Sequence, residues 1–164
     1  MRSGSSHVRG QARAAALVVF GLALSGAAIA SADPGQPPAP ASAVACERFA
    51  GAWRVSSAYY NAFAYSIAGN GAYVDYQDPT VRGNNVDGRT ALRKAAAEAL
   101  SASGTPGLAP EIAAPMRSWS LRATKLLLAM GLHGNGDTLN AAATELNMDA
   151  TDTKMACAQA GART

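Results

Sequence analysis

Apolar positions along this chain recur at helical spacing in four stretches, each closed by glycine, asparagine or proline. The first stretch predicts a helix from about Val44 to Ala68. At about 100° per residue, Phe49, Trp53, Tyr60, Phe63 and Ile67 fall in a stripe about 80° wide, a face to be buried. Cys46 lies at the edge of that stripe, and Tyr65 lies opposite it and is expected in water. Gly69-Asn70-Gly71 suits the left-handed turn that ends a helix. A second helix is predicted over Gly88–Ser103, with Leu92, Ala96, Ala99 and Leu100 as its inner face and Lys94–Glu98 as an i,i+4 pair. Gly104-Thr105-Pro106-Gly107 breaks it.

The third helix starts near Pro110 and contains Pro115, which implies a short turn before a main helix or a kink. Met116, Trp119, Ala123, Leu126, Leu127 and Met130 share one side; Leu121 and Leu128 form a second apolar line one heptad apart. Gly131 is read as its C-cap glycine. The fourth helix follows "HGNGD", with Asp137 as the expected cap. Leu139, Ala143, Leu146, Ala150, Thr153 and Cys157 fall on its inner face, with Met148 and Met155 opposite. Residues 69–87, "GNGAYVDYQDPTVRGNNVD", read as one long irregular loop. A loop of that length in a small domain is functional or hides a helical turn.

Four successive helices predict an all-α protein, an antiparallel four-helix bundle with a long loop between the first two helices. In up-down-up-down order the start of the first helix lies beside the end of the fourth. That topology brings together Cys46 and Cys157, the chain's two cysteines. In an oxidising compartment such a pair is expected to form a disulfide; the alternative is two buried thiols. A core this rich in alanine buries little apolar area per residue, so a cross-link would supply much of its stability.

The N-terminus sets the compartment. Arg2, Arg9 and Arg13 precede an apolar run, Ala14–Ala30, and Ala30-Ser31-Ala32 follows. This is the layout of a secretory signal peptide over residues 1–32, cut between Ala32 and Asp33. The run has about the least length that spans a bilayer, so an anchor is the competing reading, against which the A-x-A end argues. Residues 33–43, "DPGQPPAPASA", predict a disordered Pro/Ala-rich leader, residues 44–160 the helical domain and 161–164 a flexible tail. Of 14 basic and 11 acidic residues, three arginines and no acid stand in residues 1–32, which leaves eleven of each beyond them. The basic character therefore belongs to the leader segment and is no argument for nucleic acid. A membrane enters only through the signal peptide before cleavage.

Chemical motifs are sparse. Beyond the signal segment one histidine remains, His133, in a glycine-rich turn. No calcium loop, P-loop, dinucleotide fingerprint or nucleophile elbow is present. Neither a cofactor nor a metal is expected, and carboxylates such as Glu47 and Asp152 read as structural. Tyr59, Tyr60, Tyr73 and Tyr76 cluster in the first helix and the following loop. They read as core packing or, alternatively, as the lining of a cleft for an apolar ligand such as haem or a lipid.

At "ASADPG", "GRTALR" (Gly88–Arg93), "TPGL" (Thr105–Leu108) and "WSLRATKLLL" (Trp119–Leu128) the chain resembles small signal-bearing exported proteins of mycobacteria and their relatives. Likeness to the WXG helical secreted proteins stops at size and class, since Trp119 is followed by Ser120-Leu121. The resemblance implies an actinobacterial envelope setting and no activity. The leading expectation is an exported, non-enzymatic helical module that binds a protein partner or ligand. A carrier of a small apolar molecule comes next, and a small helical enzyme third.

Overall fold

The computed structural model describes residues 39–162. The signal peptide, its Ala32–Asp33 cleavage point, most of the leader and the last two residues of the tail lie outside the described residues.

Of the four helices among the described residues, three begin on proline: α1 (Pro40–Ser66), α2 (Pro79–Ser103) and α3 (Pro110–Gly131); α4 is Gly136–Gln159. At the first helical position proline's missing N–H costs nothing and its fixed φ already suits the helix. This rule moves two predicted boundaries. α1 starts at Pro40, so the last four residues of the expected leader are helical. α2 starts nine residues before Gly88, because Asp78-Pro79 is a cap and a first turn rather than a loop turn. The Asp78 carboxylate accepts from the backbone N–H of Thr80 (2.8 Å) and Val81 (3.0 Å). "RGNNVDG" therefore lies inside a helix, and the loop shrinks to residues 67–78. α3 runs unbroken through Pro115, and the cap of α4 is Asn135, which accepts from Thr138 N–H at 2.9 Å, in place of Asp137.

Consecutive helices pack antiparallel along their lengths, and α1 and α4 meet over only a short stretch. Side-chain size explains the difference. The α1/α2 seam carries Gly51, Ala52, Gly88, Ala91 and Ala95, which let the backbones approach. A Cβ on Gly88 would stand 2.9 Å from Met130 Cε and 3.7 Å from the Tyr59 carbonyl oxygen. On the inner side of α1, bulk takes over: Phe49 meets Trp119 edge-on, centroids 5.3 Å apart, and both are fully buried. The remaining core comes from the expected faces: Phe63 and Ile67, Leu92 and Ala99, Met116, Leu126 and Met130, and the whole predicted stripe of α4. Leu100 is a correction. It lies about 100° round from Ala99, and once α2 is extended back to Val81 the inner stripe passes it by, leaving it 55% exposed. Glu98 pairs with Arg48 of α1 at 2.6 Å rather than with Lys94.

The short α1/α4 contact carries the cross-link. Cys46 and Cys157 form a disulfide, their Cα atoms 5.9 Å apart and both residues fully buried.

Candidate functional site

The close approach of α1 and α2 leaves a furrow on their outer side, a cavity of about 490 Å³ open to solvent. Its floor is Ala52, Ala91 and Ala95; Val55 and Tyr59, each about half exposed, form one wall. Asp87, Thr90, Lys94 and Glu98 form the other, one turn apart along α2. One of these wall residues, Asp87, comes from the segment that reads as loop from the sequence. The Asp78-Pro79 start signal, read as helix onset, places Asp87 on the same helix as Thr90, Lys94 and Glu98.

Of the four tyrosines proposed for a common cleft, Tyr60 and Tyr76 meet around Phe63, and Tyr59 and Tyr73 stand apart from them. Tyr59 lines the furrow and Tyr73 projects from the loop into solvent. Tyr60 is buried beside Phe63 (6.2 Å between centroids), and Tyr76, half-buried, stacks on the same Phe63 ring at 6.4 Å. Tyr59 and Tyr60 are neighbours on a helix and so point about 100° apart, which prevents both from lining one wall. Burial holds both phenols, Tyr60 and Tyr76, above the ordinary tyrosine range, with Tyr76 adding to the shift at Tyr60.

Tyr76 also organises one end of the bundle. Its hydroxyl donates to the Gly134 carbonyl at 2.7 Å, and its ring lies 4.3 Å from the His133 ring, nearly parallel. His133 has a left-handed backbone, φ 56°, where α3 ends. Gly134 N–H bonds back to Ala129 O (2.8 Å) and His133 N–H to Met130 O (3.3 Å). This is the Schellman pattern, which usually puts glycine where His133 stands. Gly161 fills the equivalent place after α4, at φ 73°, with the same pair of bonds to Cys157 and Ala158. The predicted cap glycine, Gly131, is instead the last helical residue. Gly136 N–H donates to Ala72 O at 2.9 Å, which ties the two loops of this end together.

At the α1/α4 seam the Lys154 ammonium sits 3.0 Å above the Trp53 ring centre. Burial pulls Lys154 below the usual lysine range, and the ring face offsets part of the lost hydration. Leu121 and Leu128 on α3, Leu132 just past its end, and Met148 and Met155 on α4 all face solvent. Among the described residues no group of three or more His, Cys, Asp or Glu is placed to hold a metal ion. No helix among them is long and apolar enough to cross a membrane.

The profile of the Rv2240c four-helix bundle domain matches residues 28–158. The chain belongs to this family, named after a Mycobacterium tuberculosis protein. No curated protein and no solved structure matches it. The Rv2240c family description names an architecture and no activity, so the α1/α2 furrow stands on its geometry.

Proposed function

We propose that this Rv2240c-family chain is an exported, non-catalytic helical module of the actinobacterial envelope that binds a partner through the α1/α2 furrow. The furrow carries the reading: an apolar floor of alanines, one half-exposed apolar wall at Val55 and Tyr59, and a polar wall at Asp87, Thr90, Lys94 and Glu98. That combination suits one or two apolar side chains on a partner segment, with charges at the edge to fix its register. A buried disulfide is a device of oxidising compartments and supports export, together with the signal-like pattern of residues 1–32.

A photo-reactive residue in place of Val55 tests the reading in expressing cells. One discrete cross-linked product at Val55, lost with Ala91→Glu, is the expected result. Equal labelling from the exposed Tyr65 position, or none at Val55, would sink it.

The carrier reading keeps one supporting observation, a volume within the range of about 300–1,000 Å³ usual for small-molecule sites. Only Tyr59 of the four tyrosines lines that volume. Fluorescence titration with a fatty acyl probe and with haem separates the two: retention abolished by Tyr59→Ala favours the carrier.

A further inference from the structure

The outer face of the α3–α4 hairpin carries an exposed apolar line on each helix, on either side of an ion-paired seam between them. Leu121 and Leu128, a heptad apart, lie on the side of α3 directly away from the core, with Leu132 just past its end. Met148 and Met155, also a heptad apart, lie on the corresponding side of α4. Two contacts fix the register of the hairpin: Ser118 Oγ donates to Asp149 at 2.6 Å and Arg122 bonds Glu145 at 2.8 Å. By that register Met148 stands opposite position 119, within about 3 Å of the height of Leu121.

The charges divide by helix. α3 carries Arg117, Arg122 and Lys125 against Glu111. α4 carries Asp137, Glu145, Asp149 and Asp152 against Lys154. Part of this is neutralised within the hairpin, since Arg122 and Lys125 both bridge Glu145. Arg122 also reaches Asp149 at 3.6 Å; Arg117 and Asp152 are exposed and outside that network, Arg117 donating to the Ser103 carbonyl at the end of α2 at 3.3 Å.

We propose that a second copy of the chain covers this face. The two hairpins meet about a two-fold axis parallel to the helices. That axis lays α3 of each copy over α4 of the other. It preserves height along the bundle, so Leu121 of one copy meets Met148 of the other, twice. It also sets Arg117 of one copy within about 3 Å of the height of Asp152 of the other, twice. The alternative two-fold, with α3 over α3, sets basic on basic and acidic on acidic and is disfavoured. Self-complementarity of this kind is what an isologous dimer requires. A hairpin face about 33 Å long and two helices wide covers roughly 650 Å², somewhat under the roughly 800 Å² per partner of a standard interface. The dimer is therefore reversible and dissociates on dilution. Its face lies on α3 and α4, leaving the α1/α2 furrow of each copy open, so the assembly offers two furrows.

Sedimentation velocity over a concentration series tests this on the chain as recovered from expressing cells. The wild type is expected to pass from monomer to dimer. Arg117→Glu and Asp152→Lys each place like charges in contact twice, and each alone is expected to weaken dimerisation about tenfold. An equimolar mixture of the two variants forms a heterodimer in which every contact is again between opposite charges, and association recovers. Leu121→Ser with Met148→Ser, both at solvent-facing positions, is expected to leave a folded monomer by circular dichroism. A wild type monomeric up to millimolar concentration overturns the proposal. So does a dimer indifferent to the Leu121/Met148 change, or a variant mixture no stronger than its components. None of these outcomes touches the furrow reading, which the Val55 cross-link decides separately.

Discussion

Reduction of the Cys46–Cys157 bond is the perturbation whose size follows most directly from the fold. The bond joins residues 111 apart, nearly the whole of the described chain. Opening a loop that long returns conformational freedom to the unfolded state worth about 4.8 kcal/mol by the chain-entropy relation. The native side adds little resistance, because α1 and α4 meet only over the short stretch that holds the bond. Small domains have only about 5–15 kcal/mol in total, so the reduced bundle is expected to be marginal. Urea unfolding of oxidised and reduced wild type isolates the cross-link, since no buried atom is lost. The expected loss is about 3–5 kcal/mol, with a larger m-value after reduction because the released chain expands further. Cys46→Ala with Cys157→Ala should lose slightly more, as two fully buried sulfurs also leave the core. A difference under about 1 kcal/mol between oxidised and reduced protein would refute the entropic reasoning and assign the seam's stability to packing.

Gly136→Ala should destabilise by about 1–3 kcal/mol in urea titration, because its new Cβ would stand 2.6 Å from the Gly71 carbonyl, a backbone atom with nowhere to go. His133→Ala should cost about 1 kcal/mol through the lost stack on Tyr76. His133→Gly should come within about 1 kcal/mol of wild type, since glycine relieves the left-handed backbone as the stack is lost; an alanine variant more stable than the glycine variant would contradict this. Glu145 is held below the ordinary carboxylate range, chiefly by the Lys125 hydrogen bond and further by the Arg122 charge. A depressed folded pKa contributes stability above the unfolded pKa and loses it as pH falls through the folded value. Glu145→Gln should therefore lower Tm at pH 7, with the gap to wild type closing under strongly acidic conditions; a gap constant with pH would show that the bridges are not its cause.

Helical period was the most legible feature of the sequence. Leu139, Ala143, Leu146, Ala150, Thr153 and Cys157 are all buried, because six residues at spacings of three and four define a face without further information. The order of helices then brought the two cysteines together. Starts were harder to read, since Asp-Pro and Ala-Pro open a helix as readily as they make a turn. Asp78-Pro79 reads as a turn for this reason, and the helical character of Val81 and Asn85 is hidden with it. Asn85 is buried and donates to the Met130 carbonyl at 3.2 Å, a partner forty-five residues away that no local pattern reveals. The furrow was illegible because alanine and glycine give no periodic signal of their own; its shape comes from how near α1 and α2 stand, which only the packing determines. The tyrosine cluster divides for a different reason: Tyr60 and Tyr76 meet around Phe63, while Tyr59, next to Tyr60 on the helix, points about 100° away into the furrow.

Alanine content links the furrow and the cross-link as two results of one cause. Where small residues face each other, as along α1 and α2, the backbones close up and the floor between them is shallow and apolar. A bundle cannot close equally on every side unless its interior bulk is evenly spread. Here Phe49 and Trp119 occupy the centre, and α1 stays close to α4 only near the ends that carry Cys46 and Cys157. The rest of that opening is covered by Trp53 with Lys154 above it, a lid of one ring and one ammonium group. Such a seam gains little from burial, so a covalent bond there contributes more than it would between α1 and α2, where contact is already continuous. The cross-link in turn frees α1 to present its outer side, with Val55 and Tyr59 half exposed, without relying on that side for stability. Substitutions at Val55 and Tyr59 are therefore expected to change binding while leaving the unfolding midpoint nearly unmoved, and a shift of the midpoint on Val55→Ser comparable to that of reduction would break the link drawn here between seam and furrow.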